Sequence, residues 1–115
     1  MPHIKLEYTD NIVFSNIDGI FEKIKDLLTH NTSIKAKNCK FKAIPLSYFS
    51  SMSSNFVHLE ISILEGRSPK IIKLIGNNSL QIIKDHVISD KDNIIQFSIE
   101  IRQINKLNYF TTNKI

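Results

Sequence analysis

Ile4, Leu6 and Tyr8 alternate with Lys5, Glu7 and Thr9, the period-two pattern of a strand with one face in a core and the other wet. The period then changes. Ile17, Ile20, Phe21, Ile24, Leu27 and Leu28 recur at three- and four-residue intervals with Lys23, Lys25 and Asp26 between them, which predicts an amphipathic helix. Ser15 or Asn16 can cap its start, and the polar run His30-Asn31-Thr32-Ser33 ends it. Cys39, Phe41 and Ala43 alternate with Lys40 and Lys42 in a second strand, which Pro45 is expected to stop.

Ser47 to Asn55 is serine-rich, has no period and reads as a loop. Val57, Leu59, Ile61 and Ile63 then alternate with His58, Glu60 and Ser62 in a third strand that Gly66 breaks. Ser68 in N-cap position, followed by Pro69, starts a second helix with Ile71, Ile72, Ile75, Ile82 and Ile83 on one face. Gly76-Asn77-Asn78 interrupts its apolar face and predicts a kink. Ile95, Phe97, Ile99 and Ile101 alternate with Gln96, Ser98, Glu100 and Arg102 in the fourth strand.

The order is strand-helix-strand, twice. A single shift of 55 residues carries His3 to His58, Ser15 to Lys70 and Lys42 to Phe97, so the chain reads as a duplicated βαβ unit. The units cover about residues 2–46 and 56–104 within one domain spanning 1–115. The expected fold class is α+β (βαββαβ), a four-stranded sheet with parallel strands within each unit and both helices on one face. The other face, carrying Lys5, Glu7, Glu60 and Arg102, must meet solvent or another subunit.

With 115 residues, the chain can bury one core. Apolar residues at 42% and charged residues at 23% are globular proportions and argue against disorder. The net charge of +4 is spread along the chain and suits an anionic substrate or a weak nucleic-acid contact without requiring either. The aromatic residues fall mainly on core-facing positions, which speaks against nucleic-acid readout. A single cysteine, Cys39, excludes an intrachain disulfide and a cysteine metal cluster. His3, His30, His58 and His86 lack a metal-ligand spacing, and structural roles are expected for His3 and His58. No apolar run approaches the roughly 18 residues of a membrane span. The N-terminus lacks the layout of a secretory signal, so the cytoplasm is the default compartment.

Two residues carry the main candidate chemistry. Removal of Met1 before Pro2 leaves a secondary amine at the chain start, held at a strand end. An α-amino group titrates near ~8, and apolar surroundings or nearby cations push it lower, making it a base at neutral pH. Arg67, one of only two arginines, sits in Gly66-Arg67-Ser68 between a strand and a helix start, where an anion is favoured. A guanidinium there can clamp a carboxylate in two-point fashion. Lys40, an exposed strand lysine, is a lesser candidate.

Met1-Pro2-His3, Asp10-Asn11-Ile12, Phe56-Val57-His58 and Gly66-Arg67-Ser68 resemble segments of the 5-carboxymethyl-2-hydroxymuconate isomerases, a branch of the tautomerase superfamily. The resemblance runs from Met1 to about Ile101. It implies a homotrimer, an isomerase without cofactor or metal, a small unsaturated carboxylate as substrate, and Pro2 as the base. Carried over by position, Arg67 is one of two substrate-binding arginines and the other falls at Lys40. Lysine keeps the charge but loses the planar fork. The Ser47–Asn55 segment also departs from the family's acidic and glycine-rich turn. Two alternatives stay open: a tautomerase-fold protein of other specificity, phenylpyruvate-type or a dehalogenase, and a non-catalytic trimeric binding module.

Overall fold

The computed structural model describes residues 1–51, 54–88 and 94–115. Its elements are β1 (His3–Thr9), α1 (Ile17–Asn31), a 3-10 turn (Ala36–Asn38), β2 (Lys40–Leu46), β3 (Asn55–Leu64), α2 (Pro69–His86), β4 (Ile95–Ile104) and a second 3-10 turn (Lys106–Asn108). The strands form one mixed sheet in the order β2-β1-β3-β4. Within each βαβ half the strands are parallel, and β1 and β3 meet antiparallel at the centre.

The period-two pattern decides which side of the sheet each residue covers. Ile4 pairs with both Phe41 and Ile61, and Leu6 with Ala43 and Leu59, so one face is apolar across three strands. Both helices cover it. Ile20, Ile24 and Leu28 of α1 and Ile75 and Ile83 of α2 are fully buried together with Ile4, Leu6, Val57, Leu59 and Ile61. Each such side chain contributes about 1.5–3 kcal/mol on burial, so this layer is the main source of stability. Phe21 of α1 stacks on Phe41 of β2 with ring centroids 5.0 Å apart. Ser79 is also buried, a small residue between Ile75 and Ile83 on the packed side of α2.

Local chemistry accounts for the helix ends. Asn16 is the cap of α1, its side chain accepting from Gly19 N at 3.1 Å. Ser68 caps α2 by accepting from Ile71 N, with Pro69 opening the helix. The segments flanking the helices are tied together by a bridge between Phe14 and Val87, with Ser15 N donating to His86 O at 2.7 Å.

Three expectations need correction. Pro45 does not stop β2, which runs on to Leu46: β2 is an edge strand, where a missing N–H is tolerated. Gly76-Asn77-Asn78 does not interrupt α2, which is a single helix. A Cβ at Gly76 would stand 3.6 Å from Ile101 Cδ1, an ordinary contact, so the glycine sits where the helix crosses β4. The single shift of 55 residues also fails. His3 pairs with Lys40 but His58 with Ser98, so the second crossover is the longer. Lys42 is solvent-side and Phe97 core-side, and they are not equivalent. The loop read over Ser47–Asn55 holds for 47–51 and for Ser54, Asn55 already belongs to β3, and residues 52 and 53 lie outside the described residues.

Candidate active site

Antiparallel pairing of β1 with β3 brings the beginning of one strand beside the end of the other: His3 lies opposite Ser62. Pro2, buried, immediately precedes β1, and its carbonyl accepts from Lys40 N at 3.1 Å. The chain leaving β3 turns at Gly66, whose φ of 120° lies where L side chains are strained. That turn delivers Arg67 back toward Pro2. The half-buried Arg67 donates from Nη1 to Leu64 O at 2.6 Å, which anchors one side of the guanidinium. Its remaining N–H groups are available to an anion, and among the described residues no carboxylate pairs with it.

Pro2 and Arg67 line one cavity of about 30 Å³ together with Met1, Ile34, Ile63 and Leu64. A space of this size holds about a single water. Met1 forms part of its wall, so loss of Met1 both widens the cavity and converts the Pro2 nitrogen from an amide to a secondary amine. Ile34, Ile63 and Leu64 make the rest of the wall apolar, the surrounding that disfavours a protonated amine.

Lys40 is not among the lining residues. It opens β2, paired in register with His3, on the face opposite Phe41 and therefore away from the helices. His3 shares that face. Its Nε2 lies 3.1 Å from the Tyr109 hydroxyl. Partial burial of the ring, then the positive chain terminus, Lys40 and Lys42, hold its pKa below the ordinary imidazole value. His58 also has partners, Ser98 Oγ at 2.6 Å and Glu100 Oε1 at 3.3 Å. Burial pushes the Cys39 thiol up, as expected of a half-buried cysteine.

With Pro2 and Arg67 on one cavity, the sequence profile of the 5-carboxymethyl-2-hydroxymuconate isomerase family matches residues 2–115. The chain belongs to that family. It is an isomerase of the tautomerase superfamily. The crystal structure of a 5-carboxymethyl-2-hydroxymuconate isomerase from Deinococcus radiodurans R1 is 27% identical, with a TM-score of 0.81 over 98% of this chain and 90% of that one. A 5-carboxymethyl-2-hydroxymuconate delta-isomerase shares the fold at 11% identity, with a TM-score of 0.75 over 98% of this chain and 89% of that one. A fused 4-OT protein described as a symmetric trimer does so at 8% identity and a TM-score of 0.77, over 98% of this chain and 94% of that one. No curated protein sequence matches the chain.

For this family member, sequence reasoning located the two polar members of the cavity and missed its walls. Leu64 breaks the alternation by following Ile63 directly, a signal that both sides of the strand end are covered. Ile34 stands alone in an aperiodic segment, and no sequence signal marks it.

Proposed function

We propose that the chain, freed of Met1, isomerises a small unsaturated di- or tricarboxylate of the 5-carboxymethyl-2-hydroxymuconate kind, without a cofactor. The reading rests on one observation: Pro2 and Arg67 line the same apolar-walled cavity. The secondary amine of Pro2 takes a proton from an acidic carbon or an enol hydroxyl and returns it to another carbon of the same molecule. Arg67 holds a carboxylate and stabilises the negative charge that spreads over the dienolate as the proton leaves. Its anchoring on Leu64 O pre-sets the fork before substrate arrives. Lys40 has a lesser part in this reading. Its backbone N–H holds the Pro2 carbonyl, and its ammonium, outside the cavity, is near enough to depress the pKa of His3.

We further place the active unit as a cytoplasmic homotrimer, with the polar sheet faces packed around an axis. A partly apolar hollow of about 320 Å³ on that face, and the trimeric fold relative, support self-association. A second reading has one observation in its favour. The cavity contains a single guanidinium, which suits a monocarboxylate enol of the phenylpyruvate type as well as a dicarboxylate.

A tautomerase assay on a panel of mono- and dicarboxylate enols, comparing the processed protein with Pro2→Ala, tests both. Turnover that disappears in Pro2→Ala supports the mechanism, and the preferred substrate separates the two readings. Equal turnover by Pro2→Ala overturns it.

A further inference from the structure

Between Asp26 and Glu60 the chain has no acidic residue, yet Lys35, Lys37, Lys40 and Lys42 fall within that stretch. All four are exposed, and none has an ion pair among the described residues. A soluble surface ordinarily mixes the two signs. Here the positive charge stands without local compensation.

Its place in the fold gives that charge a use. Ile34 lines the cavity of Pro2 and Arg67, and Lys35 is the next residue. At the other end of the run, Lys40 N donates to the Pro2 carbonyl at 3.1 Å. Lys35 and Lys37 therefore ride on a short segment with both ends fixed at the site. Ile34 N donates to Thr32 Oγ1 at 3.0 Å and Asn38 N to Lys35 O at 3.0 Å, which closes the segment into a turn. The segment carrying Arg67 is basic as well: Lys70 is exposed in the first turn of α2, a turn without an acidic side chain. Glu65 is the one carboxylate between Glu60 and Asp85. The field of the run also reaches the chain start. After the burial of its ring and the chain terminus, Lys40 and Lys42 are what lower the His3 pKa.

We propose that Lys35 and Lys37, backed by Lys40 and Lys42, form a funnel of positive potential that draws a polycarboxylate toward the Pro2–Arg67 cavity and favours doubly over singly charged substrates. The inference rests on the isomerase mechanism proposed above and adds how substrate is selected before it meets Arg67. Lys35 and Lys37 are not lining residues, so they act at a distance through solvent. Such a field reaches over about a Debye length, ~8 Å at physiological ionic strength, and can raise the local supply of a counter-ion by roughly 10–10³. Coulomb energy scales with the product of the charges, so the gain for a dianion is the square of the gain for a monoanion. Concentrating substrate at the mouth enters kcat/KM and leaves kcat alone.

The experiment compares processed wild type with Lys35→Gln/Lys37→Gln on one monocarboxylate and one dicarboxylate enol, from about 20 mM to about 0.5 M salt. Circular dichroism confirms folding. At low salt the variant should lose about tenfold in kcat/KM on the dicarboxylate and about threefold on the monocarboxylate, with kcat unchanged. Both losses should shrink to within about twofold at the high-salt end, where the screening length is ~4 Å. Lys84→Gln, at the opposite end of α2 from Arg67, should change neither. No loss, a loss equal for the two substrates, one that persists at high salt, or one carried by kcat overturns the funnel and leaves the Pro2–Arg67 mechanism standing. A wild type that turns over neither enol, or a Pro2→Ala variant as active as wild type, overturns that mechanism and the funnel with it.

Discussion

The Tyr109 hydroxyl lies 3.1 Å from Nε2 of His3, which ties the segment after β4 to the first residue of β1. The two rings are also tilted against each other with centroids 6.1 Å apart. Tyr109 is half-buried while the next residue, Phe110, is 88% exposed, so the anchor is Tyr109. Removing only the hydroxyl, in Tyr109→Phe, is expected to lower stability by about 0.5–1.5 kcal/mol. Urea unfolding measures it, and an unchanged midpoint would show that the bond contributes nothing.

His3 makes part of this stability depend on pH. Its folded pKa lies below the ordinary 6.5, so in the interval between the two values the unfolded chain binds the extra proton. The contribution is therefore complete above about 6.5 and is lost as pH falls through the lower folded value. His3→Gln should flatten the stability profile on the acid side, measured by urea midpoints across that range. A His3 titration that lies above 6.5 by NMR would contradict the assignment.

In the proposed mechanism Pro2 acts only as a free amine. Intact mass of active protein should lack Met1, and an electrophile should label Pro2 ahead of any lysine. Extending the N-terminus with an uncleaved tag should abolish turnover and leave the circular dichroism spectrum unchanged. Full activity in a tagged, unprocessed protein would sink the mechanism.

Arg67 donates one N–H to Leu64 O, and the proposed mechanism assigns its others to substrate. Arg67→Ala is expected to cost about 2–4 kcal/mol in kcat/KM, the scale seen for losing a transition-state hydrogen-bond donor. Arg67→Lys should recover part of it, since the charge returns without the fork. Kinetics unchanged in Arg67→Ala with a dicarboxylate substrate would return the residue to a loop role.

Period two and period 3.6 in the apolar positions were enough to find every strand and both helices, because burying one face imposes those spacings on any sequence. Asn16 or Ser15, and Ser68 with Pro69, marked the helix starts because capping is local chemistry. Pro45 was misjudged because its effect depends on whether its strand has a neighbour on both sides, which is a tertiary fact. The uniform shift between halves failed for a similar reason. Alternation says which face Lys42 or Phe97 covers, but crossover length decides which residue it faces.

Pro2 and Arg67 could each be picked out by residue type, Pro2 as the residue exposed by processing and Arg67 beside a glycine turn and a helix start. Their meeting could not be derived from local pattern. It follows from the antiparallel pairing of β1 with β3, which sets His3 against Ser62 and so returns the Gly66 turn to the chain start. Sequence alone determined the elements, their faces and the chemistry each end can supply. Strand order and register decided which of those groups share a cavity, because contacts between distant segments depend on loop lengths and the packing of the whole core.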